Sequence, residues 1–150
     1  MKNIVHDQDY REITSRIERL DSNSKALWGN MNCNQMLCHC ADVLREALGT
    51  RPTKNLGNFF SHTFMKWFSF YILTSWPKGK LPTSPSYDSF KGGTPVNNLK
   101  DDKDVLLKLL SNVRSADSLK PHPYFGNLTK KEWGRITYLH LNHHLKQFGV

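Results

Sequence analysis

Cysteine is scarce in this chain of 150 residues, which contains three. Cys33, Cys38 and Cys40 are odd in number and crowded into one short stretch, and this argues against a disulfide framework. The first residues also lack a continuous apolar segment, so we expect no signal peptide. A reducing cytoplasm is therefore the expected location.

Long hydrophobic runs are absent as well. No run of about 20 apolar residues occurs, so we expect no membrane span. The strict alternation of apolar and polar residues that is typical of strands has almost no support, and no internal repeat is visible. Four Trp, five Tyr and eight Phe nevertheless supply enough large apolar surface to exclude a disordered chain. The length suits a single domain over residues 1–150.

Acidic residues are nearly missing from the middle of the chain. Between Gly49 and Lys100 the one acid is Asp88, although the whole chain has a formal net charge of +8. The basic residues of this segment are Arg51, Lys54, Lys66, Lys78, Lys80, Lys91 and Lys100. They are scattered singly and without a nucleic-acid-binding motif, so nucleic-acid binding is disfavoured. We expect a loop-rich flank in which Lys78, Lys80 or Lys91 draws an anionic small molecule.

Helical periodicity is the main structural signal. Apolar residues recur at spacings of three and four in four segments, near 9–20, 34–48, 101–115 and 129–147. We expect Asp9 and Glu12 to cap the first helix and Gly49 to end the second. Thr129 and Glu132 are expected to cap the last helix. The predicted fold is an all-α four-helix bundle.

Two further segments separate the second and third of these helices. Residues 56–76 are rich in aromatic side chains, and His62 and Lys66 interrupt them. A buried or partner-facing helix, at a possible homodimer interface, is favoured there over membrane insertion. Residues 77–98 contain prolines and glycines that exclude a long helix, so we expect a loop that forms a lid or pocket wall.

Two histidines stand out on the last predicted helix. At 100° per residue, His140 and His144 lie in the middle of an apolar stripe that includes Trp133 and Leu141. Residues four apart have Cβ atoms about 5–6 Å apart, so two imidazoles can reach one metal ion. The alternative is a pair of core histidines bonded to each other or to carbonyl groups. We favour the metal, and expect His143, about 100° off the stripe, beside the site or at the surface.

The second predicted helix offers a third ligand. His39 lies at the edge of the apolar stripe next to Val43, where it can face a neighbouring helix. Cys38 and Cys40 flank it, but consecutive helix residues cannot all point one way. Cys40 falls on the core face and Cys38 faces away from it, and neither has the spacing of a zinc knuckle.

Motifs near both ends of the chain resemble a known family. They are Trp28-Gly29-x-Met31, Gln35-Met36-Leu37-x-His39, His122-Pro123-x-Phe125-Gly126-x-Leu128-Thr129-x-x-Glu132-Trp133 and His140-Leu141-x-His143-His144-Leu145-x-Gln147-Phe148-Gly149. These residues resemble an uncharacterised family, a domain of unknown function, within the DinB-like superfamily. The resemblance covers about residues 25–49 and 120–150.

This resemblance implies a four-helix bundle that holds a divalent metal through three histidines. The three positions map onto His39, His140 and His144. Members of the wider superfamily include transferases and isomerases that act with low-molecular-weight thiols such as bacillithiol or mycothiol.

Two classes of function remain open. In the first, the chain is a metal-dependent enzyme, with a thiol transferase as the favoured type, because three imidazoles leave zinc or nickel an open position for water or a thiol. Tyr138, Asp42, Glu46 and His143 are then the candidate pocket or acid–base groups. In the second, the metal only fastens two helices in a non-catalytic module that dimerises through the aromatic segment. A fourth protein ligand distinguishes the structural site from the catalytic one.

Overall fold

All regular structure in the described residues is helical. The computed structural model describes residues 1–52, 54–72, 75–76 and 92–150. The α-helices in these residues are α1 (Asp7–Glu18), α2 (Cys33–Leu48), α3 (Lys66–Tyr71), α4 (Leu99–Ser115) and α5 (Lys130–Gln147). A π-helical segment, Ser61–Met65, runs directly into α3. No strand occurs in these ranges, so the all-α prediction is confirmed.

The four amphipathic helices share one hydrophobic core. The ends of α1, α2, α4 and α5 lie within two residues of the predicted bounds. The core contains Ile13 and Ile17 of α1, Met36, Leu37 and Leu44 of α2, Leu106 and Leu110 of α4, and Trp133, Leu141 and Leu145 of α5. Each such side chain contributes about 1.5–3 kcal/mol when it is removed from water. Burial of these apolar side chains therefore determines which face of each helix points toward the core.

Local hydrogen bonds set two of the helix starts. Thr129 Oγ1 accepts from Glu132 N at 3.2 Å and Glu132 Oε2 accepts from Thr129 N at 2.8 Å, which confirms the predicted capping box of α5. Asn32 and Gln35 form the same reciprocal pair at the start of α2. The predicted stop of α2 is also confirmed, since Gly49 ends it with a left-handed φ of 75°.

The predicted cap of the first helix is wrong. The N-cap of α1 is His6, and its side chain makes no capping bond. Asp9 instead accepts from Asn3 N at 2.9 Å and pairs with Lys2 Nζ at 2.9 Å. Glu12 pairs with the same ammonium group at 2.8 Å. These two acids therefore bind the residues that precede α1 and do not cap its first turn.

The aromatic segment is helical over a shorter range than predicted. Phe70 is buried and makes an edge contact with Phe125, at 5.5 Å between ring centroids, but several neighbouring rings are exposed. The loop predicted at 77–98 has residues 92–98 without helix, and its residues 77–91, which include Lys78, Lys80 and Lys91, lie outside the described ranges. Within the described part of the chain, no helix is both long and apolar enough to cross a membrane.

Candidate metal centre

Three histidine side chains meet between α2 and α5. Ligand atoms of His39, His140 and His144 all lie within 4.8 Å of one another. His39 Nε2 is 2.9 Å from His140 Nε2, and the His140 and His144 ring centroids are 4.7 Å apart. Two nitrogens that each bind one ion at about 2.0–2.1 Å are about 2.9–3.4 Å apart. The His39–His140 separation falls in this range and is also that of a direct hydrogen bond, and the other ligand atoms lie close enough to share a small divalent ion after modest movement.

The three rings are buried, and burial keeps two of them neutral. His39, His140 and His144 are 6%, 7% and 7% exposed. Loss of solvation, followed by the charge of His39, lowers the pKa of His144 from 6.5 to about 3. Loss of solvation, then His144 and His39, also holds the pKa of His140 well below its usual value. At neutral pH these two rings are neutral imidazoles, the form that binds metals.

Gln147 sets the orientation and the tautomer of His144. The side-chain Nε2 of Gln147 donates to the Trp28 carbonyl at 2.6 Å, which turns its Oε1 toward His144 Nδ1 at 2.9 Å. Because an amide oxygen only accepts, Nδ1 carries the hydrogen and Nε2 keeps the lone pair. Gln147 was not predicted from the sequence as a site residue, although it lies one helical turn after His144 and can reach that ring.

A glycine lets the loop before α2 approach Gln147 closely. Gly29 has a left-handed φ of 78°, and a Cβ atom there would lie 2.6 Å from Gln147 Nε2. Leu27 N also donates to the Gln147 carbonyl at 2.7 Å. The Trp28-Gly29 motif therefore positions the carbonyl that holds the Gln147 amide, and through it the His144 ring.

Aromatic rings surround the outer side of the triad. The Trp76 ring centroid is 5.4 Å from that of His140 and 6.0 Å from that of His143. His143 is half-buried, and its ring lies 5.1 Å from His144 and 6.0 Å from Trp28. Burial lowers the pKa of His143, and a bond with the Trp76 backbone opposes that change. These contacts place His143 beside the triad, but His143 is not one of the three histidines whose ligand atoms lie together.

Tyr138 points toward α1 and contacts a carboxylate there. Its hydroxyl donates to Glu12 Oε1 at 3.0 Å. Burial, then this hydrogen bond, raises the pKa of Tyr138 to about 12. Two residues along a helix correspond to about 200°, so Tyr138 and His140 lie on nearly opposite sides of α5. The structure does not bring Tyr138 to the triad.

Asp42 is fully buried in a network of its own. Its carboxylate pairs with Arg45 Nη1 at 2.8 Å and Arg51 Nη1 at 2.7 Å. It also accepts from Thr94 N at 2.8 Å and Thr94 Oγ1 at 2.5 Å. Four donors satisfy both oxygens, so Asp42 holds residue 94 against α2. Glu46 is also buried and lies two helical turns after His39 on the same side of α2.

The cysteines do not join the histidine cluster. Burial raises the pKa of the Cys38 thiol to about 12, and Cys38 Sγ lies 3.8 Å from the Pro95 carbonyl. Cys40 is fully buried against Met36, as expected for a core residue. Across the described ranges, the triad is the one group of three or more His, Cys, Asp or Glu side chains with convergent ligand atoms.

His122, which belongs to the motif before α5, has a structural environment. Its Nδ1 accepts from Tyr124 N at 3.1 Å and Phe125 N at 3.3 Å, and its ring stacks on Phe125 at 4.8 Å. Burial lowers its pKa from 6.5 to about 3. This neutral ring closes the turn that precedes α5 and packs 5.2 Å from Trp133.

Comparison with known proteins finds one family, whose function is unknown. No curated protein and no solved structure matches the chain significantly. One family does match, over residues 3–149, and it is described as a protein of unknown function (DUF1569). Since this match covers nearly the whole sequence, the chain belongs to the DUF1569 family.

Proposed function

We propose that this protein binds one divalent metal ion, zinc or nickel, through His39, His140 and His144. The observation that carries the proposal is the convergence of three buried imidazoles from two helices on one point. The neutral state of His140 and His144 and the Gln147 hydrogen bond prepare ring nitrogens as ligands. The donor set fits these metals, because imidazole is a preferred ligand of both zinc and nickel.

The same proposal includes the fold that carries the site. In it, α1, α2, α4 and α5 form a DinB-like four-helix bundle, and residues 1–150 make one domain. The shared hydrophobic core supports this arrangement. The three cysteines are free thiols, which fits a reducing compartment such as the cytoplasm.

We further propose that the site is catalytic and that its substrate is a low-molecular-weight thiol, in a thiol-dependent transfer. Three protein ligands are one fewer than a closed tetrahedral site needs. An ion held there supplies Lewis acidity, which favours loss of a proton from a thiol or water. The protein's own contribution is to hold the ring nitrogens in place, through Gln147, and to limit access by water, through Trp76. Lys78, Lys80 and Lys91, which lie outside the described residues, remain the candidates for attracting the carboxylates of such a thiol.

The deep burial of the triad favours a second function. The three rings are at most 7% exposed, and they join α2 to α5. In that case the ion holds the two helices together, and a fourth protein ligand closes the coordination shell. This protein would be a non-catalytic metal-binding module.

Spectroscopy of the cobalt-substituted protein separates the two functions. The metal-free protein is loaded with Co²⁺, and its visible spectrum is recorded during titration with cysteine, glutathione and bacillithiol. A catalytic site gives a sulfur-to-metal absorption band, and the loaded protein then consumes a thiol-reactive electrophile. His143→Gln is the matched control, because it changes a neighbouring imidazole that is not a ligand. A spectrum that no thiol perturbs, together with no consumption of the electrophile, would establish the structural module instead.

A further inference from the structure

The outward side of the π-helical segment and α3 is aromatic and exposed. Residues Phe60, Phe64, Trp67, Phe68 and Tyr71, here called the aromatic face, are 56%, 53%, 51%, 38% and 60% exposed. Their spacing of four, three, one and three is that of one helix face, and the inward side carries the buried Ser69 and Phe70. A helix that turns its larger apolar side to solvent is typical of an interaction surface.

The rings of the aromatic face pack on one another. Phe64 stacks on Phe60 at 5.4 Å and on Phe68 at 6.4 Å between ring centroids. Exposed apolar residues continue this surface at both ends, with Leu56 and Phe59 before it and Ile72 after it. The surface is therefore a continuous apolar ridge whose central ring, Phe64, stacks on two neighbours.

The sequence around the ridge has few acidic residues. No Asp or Glu occurs from residue 47 to residue 87, a range that contains five Lys and Arg residues. Lys54 is exposed at one end of the ridge. At the other side, Lys66 Nζ pairs with Glu132 Oε1 at 3.0 Å, which brings the start of α5 and its exposed Lys130 and Lys131 next to α3. Exposed basic side chains thus lie at one end of the apolar ridge and at the start of the helix that packs behind it.

We propose that the aromatic face docks on the surface of an anionic phospholipid bilayer. Exposed Phe, Trp and Tyr side chains enter the interface between head groups and acyl chains, while the flanking lysines contact lipid phosphates and carboxylates. Tyr and Trp suit this depth, since one end of each ring system is apolar and the other is polar. This binding is peripheral and is separate from the metal centre.

Charge and shape favour a bilayer over a second copy of this chain or a single-stranded nucleic acid. A second copy of this chain also carries +8 and would bring two basic surfaces together. Single-stranded nucleic acid needs free ring faces for base stacking, whereas Phe64 already stacks on Phe60 and Phe68, and the aliphatic Leu56 and Ile72 offer no ring face. Acyl chains accept ring edges and aliphatic groups equally well.

Vesicle flotation tests the proposal with the intact protein. Large unilamellar vesicles of 70:30 phosphatidylcholine and phosphatidylserine should bind the wild type, and binding should fall in pure phosphatidylcholine or in high salt. Phe60→Ser with Phe64→Ser should weaken binding at least about tenfold. The matched control is Leu27→Ser with Val105→Ser, which removes two exposed apolar side chains elsewhere and should bind as the wild type does.

Further variants separate the contribution of charge to vesicle binding from the insertion of aromatic rings. Lys54→Glu with Lys130→Glu should weaken binding at least about tenfold, whereas Lys25→Glu with Lys100→Glu, also exposed, should have a much smaller effect. Brominated acyl chains should quench the fluorescence of Trp67, and Trp67→Phe should remove that quenching. The proposal is overturned if the wild type does not float with the anionic vesicles at low salt. It is equally overturned if the protein is a dimer in light scattering that Phe60→Ser with Phe64→Ser converts to a monomer, because a second copy then covers the face.

Discussion

The side-chain amide of Gln147 joins His144 to the backbone carbonyl of Trp28, with Oε1 2.9 Å from His144 Nδ1 and Nε2 2.6 Å from the carbonyl oxygen. This arrangement links the loop before α2 to the end of α5 through the ring that we propose as a metal ligand. It also gives the glutamine one possible amide orientation, since a carbonyl can only accept. Metal affinity should therefore depend on residues that do not touch the ion.

Gln147→Met should lower metal affinity about 10–100-fold, the usual effect of removing a hydrogen bond to a ligating histidine. The helical content should remain, because methionine fills a similar volume at this buried position. Competition with a chromophoric chelator measures the affinity, and circular dichroism checks the fold. Gln8→Met, at an exposed position of α1, is the matched control. Unchanged affinity in Gln147→Met would show that the amide does not support the site.

Gly29→Ala should reduce both stability and metal affinity. Each left-handed non-glycine residue costs about 1–2 kcal/mol, and the new Cβ also meets Gln147 Nε2. Gly149 provides the control, since it has a similar φ of 75° but an added Cβ there would lie 3.9 Å from Leu27 Cδ1, an ordinary van der Waals distance. Gly149→Ala should therefore lose stability only. Urea unfolding and chelator competition separate the two effects, and equal affinities in the two variants would contradict the account.

Asp42→Asn should lower the free energy of unfolding by about 3 kcal/mol. The substitution leaves Arg45 and Arg51 beside a neutral group at a fully buried position, and breaking a buried pair costs about 3–5 kcal/mol. Asp104→Asn, on the exposed side of α4, should change stability little. Urea unfolding monitored by Trp fluorescence gives both values. If Asp42→Asn kept full stability but lost thiol-dependent activity, Asp42 would be a catalytic group rather than a structural one.

The metal-free protein should lose stability as the pH falls from about 6.5 to about 3. The pKa values of His122 and His144 are about 3 in the folded chain and 6.5 as the ordinary value, so in this window the unfolded chain binds more protons. Each such histidine contributes up to about 1.4 kcal/mol per pH unit. Because carboxylates also titrate there, the informative quantity is a difference between variants.

His122→Gln removes one of these groups and leaves the triad intact. The dependence of unfolding free energy on pH between 6 and 4 should therefore be shallower in His122→Gln than in the wild type. Urea midpoints measured at intervals over this range provide the comparison. Identical slopes would mean that His122 is protonated as readily in the folded chain as in the unfolded one.

The sequence predicted most of the fold because its signals are local. Apolar spacing located α1, α2, α4 and α5, and residues three apart identified the Thr129 and Glu132 capping box. The prediction that Asp9 caps α1 was wrong because Lys2 and Asn3 donate to that carboxylate. A capping pattern of residues three apart does not take such donors into account. Similarly, periodicity located an aromatic helix but does not say whether its aromatic side faces a core or the solvent.

The candidate site was accessible to sequence reasoning for a related reason. His140 and His144 lie one turn apart on a strongly apolar stripe, and this juxtaposition needs no tertiary information. The partner of His144 was missed because the Gln147 amide is oriented by the Trp28 carbonyl, which is distant in sequence. The ion pair and hydrogen bonds of Asp42 likewise depend on Arg51 and Thr94, which follow α2 at positions that no helical pattern predicts.

The metal content of single-histidine variants tests the central claim most directly. Wild type, His39→Ala, His140→Ala, His144→Ala and the control His143→Ala are stripped with a chelator, reloaded with Zn²⁺ or Ni²⁺, desalted and measured by elemental mass spectrometry. The account predicts about one ion per chain in the wild type and in His143→Ala, and almost none in the three triad variants. Full metal content in His140→Ala, with a wild-type circular dichroism spectrum, would contradict it.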